Sequence, residues 1–390
     1  MGGGAMAGRE STGRVEDDSD RHPQALPVYT LVAVRIIRCD KELQMLSTEA
    51  TPLDGHAMKV RSHKVVRLGP VRVDIRSNEP DFKGFRFFSE GFDGDDADSS
   101  DVEPDFMLSL CNLHVDGPWP VRELALERDT HYRAKRMAAG YYLTDHFGAP
   151  AYLMMRGSHY WIFAEDFEPI LWPYAVKHLL TLYSMEHNLL HLKAAGIAVE
   201  GQGALLVGRG GSGKTVLLSQ LCRAGAQFLS NTHVLVDGQN LVGIRTAMRV
   251  RPDRFFGPII AARGLSPNVK ASEYTADPIR DLEWSSTRLV PIRSVCLVNY
   301  QGREHCEIRE IDRDILLDYM EQFSLAVNVY GLKEDLLDSL AGDVSRFSAR
   351  MSEMKGRLFA VIDRSRCYYL SCDAEDPKNL EAILELLRSR

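Results

Sequence analysis

The chain lacks the features that would tie it to a bilayer, to nucleic acid or to an oxidising compartment. Apolar stretches such as Ala204 to Val207 and Leu179 to Tyr183 fall far short of the roughly 20 residues a membrane helix needs, so no bilayer span is expected. Positive charge is not in excess. Against 47 Lys and Arg stand 54 Asp and Glu, a formal net charge of -7, so no global field gathers nucleic acid or an anionic membrane surface. Cys39, Cys111, Cys222, Cys296, Cys306, Cys367 and Cys372 are an odd set without CxxC spacing, which reads as small core thiols in a reducing compartment. Met1 to Pro27 has no apolar h-region, so it reads as a disordered tail rather than a secretory signal, and a cytoplasmic location is expected. Also missing are a Ser/His/Asp triad, an HExxH helix, Cys/His zinc spacing and any internal repeat.

What is present suits a globular protein of more than one domain. With 390 residues, 45% hydrophobic and 26% charged, two packed domains are the natural expectation. Residues 28 to 169 form a β-rich region with strands expected at Leu31 to Ile37, Lys59 to Leu68, Val71 to Ile75, Phe85 to Phe88 and Tyr152 to Phe163. Val71 to Ile75 alternates apolar and polar residues and so buries one face. The sheet is expected to be largely antiparallel. Between Asp93 and Asp105 seven acids occupy thirteen positions, a self-repelling block that reads as a solvated loop, with a metal or partner loop as the alternative.

Residues 170 to 390 read differently. A helix is expected over Leu171 to Leu190 from its apolar spacing, then a hairpin of Ile197 to Glu200 and Ala204 to Val207 about the Gly201-Gln-Gly203 turn. Further strands are expected at Phe228 to Val236 and Ser294 to Val298. Helices should fill Asp314 to Tyr330, Lys333 to Met354 and Pro377 to Leu387.

Gly208-Arg209-Gly210-Gly211-Ser212-Gly213-Lys214-Thr215 fits G-x-x-x-x-G-K-[ST] at every fixed position. An apolar strand leads in. Lys214 to Arg223 leads out as a helix, with Val216, Leu217 and Leu221 inward and Gly225 as terminator. This setting aims backbone N–H groups and a positive helix end at one anion, while the glycines let the main chain approach it. Lys214 is expected at the β- and γ-phosphates of ATP and the Thr215 hydroxyl at Mg²⁺.

The preceding hairpin, the loop and the run Gly225-Ala-Gln-Phe-Leu-Ser-Asn-Thr-His-Val-Leu-Val236, with Leu190-His191 ahead of them, resemble the HPr kinase/phosphorylase catalytic domain. They resemble especially the HPr-kinase-related small kinases found beside natural-product gene sets. This resemblance implies a phosphoenolpyruvate-carboxykinase-like fold, α/β with a mixed sheet and a helical C-terminus, joined here to the β-rich N-terminal region. It also implies an active-site place for His191, otherwise a polar residue at a strand start. Where the family carries two acids, as general base and metal ligand, this chain has Asn231 and Thr232. Asn takes no proton. If Phe228 to Val236 is one strand, His233 lies on the face of Asn231 and can serve as base, titrating near 6.5; Asp237, just beyond, is a second substitute.

Other candidates carry plain readings beside functional ones. Arg245, Arg249, Arg251 and Arg254 are a solvated basic stretch or, in part, a grip on ATP or an anionic acceptor. Asp277, Asp281 and Glu283 are loop acids or a replacement metal ligand. The expected function is a Mg²⁺-dependent, ATP-using phosphotransferase acting on a hydroxyl of a small molecule or peptide, without nucleic-acid or membrane partners, with homo-oligomerisation left open. The alternatives are a nucleotide-binding accessory protein that has lost its catalytic acids and a carrier-protein kinase.

Overall fold

The computed structural model describes residues 48–51, 53, 56–88, 103–119, 134–137, 140–143, 151–267, 272–302 and 305–389. All belong to one compact unit, Glu42–Arg390. The expected tail, the Leu31 to Ile37 strand, Cys39 and all of the acidic block before Glu103 lie outside the described residues.

The first half builds a ribbon of β1 (Thr48–Ala50) and β2 (Ala57–Lys59) and a seven-stranded sheet. The sheet comprises β3 (Ser62–Leu68), β4 (Val71–Ser77), β5 (Phe106–Asn112), β6 (Ala134–Met137), β7 (Gly140–Leu143), β8 (Ala151–Arg156) and β9 (His159–Ala164), in the order β3-β4-β5-β9-β8-β7-β6. Its pairings are antiparallel as expected, except in the centre, where β5 runs parallel to β4 and β9. Alternation in β4 buries Val71, Val73 and Ile75 on one face, yet Asp74 on the other is buried too, held by His63 and Arg76. Phe85 to Phe88 is not a strand. It lies in a 3₁₀ turn, Lys83–Phe87, because Phe85 packs edge-on against Phe82 and the i to i+3 bonds Phe85 N–H to Phe82 O and Phe88 N–H to Phe85 O close the turn.

The expected helix over Leu171 to Leu190 is divided. A short turn at Glu168–Ile170 leads into a π-turn, Leu171–Val176, containing Pro173, which has no N–H to donate to an α-ladder. Only α1 (Lys177–Glu186) is regular, and Leu190 already belongs to a strand.

A second, mixed sheet carries β10 (Leu190–Lys193), β11 (Ala195–Val199), β12 (Gln202–Val207), β13 (Gln227–Ser230), β14 (His233–Asp237) and β15 (Asn240–Gly243). A separate ribbon, β16 (Met248–Val250) with β17 (Tyr274–Ala276), precedes its remaining strands β18 (Leu289–Val298), β19 (Glu307–Glu310) and β20 (Arg366–Ser371). The β11–β12 hairpin forms as expected, and β12 is flanked on its other side by parallel β18. Around this sheet lie α2 (Lys214–Arg223), α3 (Phe256–Arg263), α4 (Arg313–Phe323), α5 (Val344–Arg364) and α6 (Pro377–Arg388), with short helices at Ala326–Val329 and Lys333–Ser339. One apolar core joins Val73, Ile75 and Leu108 of the first sheet to Leu179 and Leu182 of α1 and to Leu205, Leu229 and Leu235 of the second. A separate cluster packs Leu217 and Leu221 of α2 beneath β11 and β12. Cys111, Cys222, Cys296, Cys367 and Cys372 are buried free thiols as read, whereas Cys306 is exposed. No described helix is long and apolar enough to cross a membrane.

Candidate functional site

The glycine-rich loop leaves β12 at Gly208, where the main chain passes so close to β18 that a Cβ would stand 2.5 Å from the Val298 carbonyl oxygen and from Ser212 Oγ. Gly213, with φ 90°, caps α2 and packs on Tyr300. A left-handed φ excludes most side chains, so glycine serves the turn here. At Gly210 and Gly211 an added Cβ meets nothing within 4 Å, so the outer rim of the loop faces open space. Lys214, first residue of α2, folds its ammonium over the loop and donates to the Gly208 carbonyl at 2.7 Å, the Arg209 carbonyl at 2.8 Å and Ser212 Oγ at 3.3 Å. Burial, and then the charge of Lys193, push its pKa down to about 8. α2 closes as expected, with Gly225 at φ 100° and Ala226 N–H bonded to the Leu221 carbonyl.

Thr215 Oγ1 donates to Asn231 Oδ1 at 3.3 Å. Asn231 and Thr232 are not strand residues: the chain breaks between β13 and β14 there, because Ser230 turns its hydroxyl onto the His233 and Ile244 carbonyls and Thr232 O accepts from Ala194 N–H. The single strand expected over Phe228 to Val236 is therefore corrected to two. The alternation argument for His233 falls with it; His233 opens β14, opposite Lys193 of β10.

His233 ends a hydrogen-bonded chain. Thr181 Oγ1 donates to the Lys177 carbonyl at 2.7 Å, so it can only accept from His191 Nδ1 at 2.9 Å. His191 Nε2 then carries the lone pair and accepts from His233 Nδ1 at 3.0 Å. Both rings are neutral: burial, reinforced by Lys177, pushes His191 down to about 3, and burial with His191, Lys177 and Lys193 holds His233 well below its ordinary value. The titration expected near 6.5 is thus displaced downward, because burial beside cations disfavours the protonated ring. What remains is an unprotonated His233 Nε2, buried and without a hydrogen-bond partner among the described residues, between Trp172 at 5.3 Å and Tyr330 at 5.5 Å ring to ring.

The other candidates disperse. Asp237 lies at the opposite end of β14 from His233, lining a separate cavity of about 380 Å³ with Arg67, His187 and Arg288, so it is no substitute for His233. Arg245 is buried against Ser286, Arg249 covers the Phe87 ring, Arg251 pairs with Glu273 and Arg254 with Asp373 and Glu375. They form no single patch. Arg254, Asp373 and Glu375 rim a cavity of about 310 Å³ that opens beside Gly213 and is walled by Val216, Leu370 and Tyr300. Asp277 accepts from the Ile279 and Arg280 N–H groups, Asp281 accepts from Asp277 N–H, and Glu283 pairs with Arg263. These acids brace a turn, and among the described residues no three His, Cys, Asp or Glu gather as a metal cluster would.

A second polar cluster lies in the first sheet. Glu49 Oε1 accepts from Ser109 Oγ at 2.5 Å and Trp161 Nε1 at 2.9 Å and meets His159 Nε2 at 2.9 Å; Ser109 Oγ is 2.8 Å from that same nitrogen. Burial would raise the Glu49 carboxyl, but the His159 and Ser109 hydrogen bonds and the nearby charges hold it below the usual range. Serine and carboxylate share one ring nitrogen, so the cluster lacks the relay of a nucleophile. It ties β1 to the sheet.

Sequence reasoning missed Thr181, Trp172, Tyr330 and Lys193. Lys193 reads as an ordinary strand residue, and its one signal is that it is the only charged side chain in the run from Leu189 to Val199 apart from the possible charge of His191. No protein-family model matches the chain, and no curated protein matches it.

Proposed function

We propose that the protein is an ATP-dependent phosphotransferase with a phosphoenolpyruvate-carboxykinase-like nucleotide-binding region, acting on a hydroxyl of a small molecule or peptide. The observation that carries this is Lys214: a half-buried ammonium at a helix N-terminus, bonded only to oxygens of its own glycine-rich loop, with no carboxylate among the described residues paired to it. Such a group exchanges those oxygens for β- and γ-phosphate oxygens. The open rim at Gly210 and Gly211 leaves room for them. The cavity beside Gly213 has the size for a nucleoside.

Thr215 Oγ1 and Asn231 Oδ1 place two neutral oxygens together, a donor set that fits Mg²⁺, which keeps water and phosphate oxygens as its other ligands. When bound, the ion neutralises phosphate charge. In transfer, the acceptor oxygen forms a bond to the γ-phosphorus while the bond to the bridging oxygen breaks. ADP leaves with that electron pair, and the acceptor proton passes to His233 Nε2. His191 and Thr181 position this base by holding its tautomer.

Asn231 in place of an acid favours a second reading, a nucleotide-binding accessory protein without transfer. Calorimetric titration with MgATP tests what both share: Lys214→Ala is expected to bind at least tenfold more weakly, about 1.4 kcal/mol. Equal affinities would reject both.

A further inference from the structure

The loop region holds a second cation that the proposed function leaves unused. Lys193, last residue of β10, pairs across the ladder with His233, donates its main-chain N–H to the Ser324 carbonyl at 2.7 Å, and is followed by Ala194, whose N–H bonds to the Thr232 carbonyl. This register sets Lys193 beside the Asn231–His233 turn, whose Asn231 in turn meets Thr215, the neighbour of Lys214 in α2. The Lys214 ammonium accordingly feels the charge of Lys193, the first held by the helix and the second by the sheet.

Neither ammonium meets a carboxylate among the described residues. Among the described residues Lys193 has no ion pair and no side-chain hydrogen bond, and its half-buried position disfavours its charge. Lys214 feels Lys193 as a repelling neighbour. Keeping two desolvated cations together without an acid costs stability, and a polyanion bound between them removes the cost. His233, the cross-strand partner of Lys193, carries an Nε2 without a hydrogen-bond partner among the described residues, an acceptor that repels a bare anion and suits an O–H. A phosphoryl group beside an attacking hydroxyl combines the anion that Lys193 would hold with the O–H that such an acceptor favours.

We propose that Lys193 is a second phosphate-binding residue, specific for the terminal phosphoryl of a nucleoside triphosphate, with Lys214 spanning the phosphates that both ATP and ADP carry. This rests on the phosphotransferase reading. Phosphoryl transfer depends on cations held where charge spreads over the equatorial oxygens, and Lys193 supplies one on the sheet side, where the chain has Asn231 and Thr232 instead of acids.

The test is titration of wild type, Lys193→Met and Lys193→Arg with MgATP and with MgADP, alongside melting curves. Methionine keeps the unbranched apolar stem and removes the charge. Lys193→Met is expected to lose at least tenfold in affinity for MgATP and less than twofold for MgADP and to melt no lower than wild type, while Lys193→Arg keeps part of the ATP preference. A variant that loses both nucleotides equally, or neither, overturns the assignment of Lys193 while leaving the nucleotide site standing. Wild type that binds neither nucleotide overturns the phosphotransferase reading and this assignment with it.

Discussion

Asn231 Oδ1 accepts the hydroxyl proton of Thr215 at 3.3 Å, joining the first turn of the helix after the glycine loop to the break between two strands of the sheet. The contact joins two neutral groups that, in the proposed function, would hold the metal. Converting one into a carboxylate adds the charge that Mg²⁺ favours. Asn231→Asp is expected to tighten metal–ATP binding about tenfold, read by titrating Mg²⁺ at fixed ATP. No change in the Mg²⁺ midpoint would place the metal elsewhere.

The His191–His233 pair makes a statement about pH. Because burial holds both rings neutral, the turnover of a general base at His233 should be flat from pH 6 to 8 rather than rising through 6.5. His233→Ala is expected to lose about 10²- to 10⁴-fold in turnover and keep its ATP affinity, since the base meets the acceptor and not the nucleotide. A rate that climbs steeply through neutral pH would assign the base to another group.

Glycines of the loop divide into two kinds. At Gly208 a Cβ collides with the Val298 carbonyl, so Gly208→Ala should lower the melting temperature along with ATP binding. At Gly210 a Cβ projects into open space, so Gly210→Ala should melt as wild type does. Its ATP affinity should nonetheless fall, because in the proposed function phosphate approaches through that open space. Undiminished affinity in Gly210→Ala would mean the ligand lies off the loop rim.

Lys214 links binding to protons. In the free protein burial, and then Lys193, push its pKa down to about 8; a bound polyanion would raise that value. Binding above pH 8 must therefore take up a proton, and affinity should fall about tenfold per pH unit above 8 until the bound-state value is reached. Calorimetry in buffers of different ionisation enthalpy reads the uptake directly. Proton release, or none, would contradict a phosphate-bound Lys214.

What the sequence determined by itself is local. The glycine loop, the strand into it, the helix out of it and the hairpin about Gly201 are all readable, because φ > 0 turns, helix caps and apolar periods are properties of neighbouring residues. Phe85 to Phe88 misled because four aromatic-rich residues carry no period, and the Phe82 ring decided their conformation. Leu171 to Leu190 misled because an apolar spacing persists through a π-turn. The neighbourhood of the loop was decided only in three dimensions. Lys193 opposite His233, Thr181 behind His191 and Asn231 on Thr215 come from strand register and from a break between β13 and β14. Register depends on which faces the whole core buries, and a shift of one residue would turn His233 out of the site. The neutrality of the two histidines has the same origin, since desolvation is a property of the packed molecule and not of the residue.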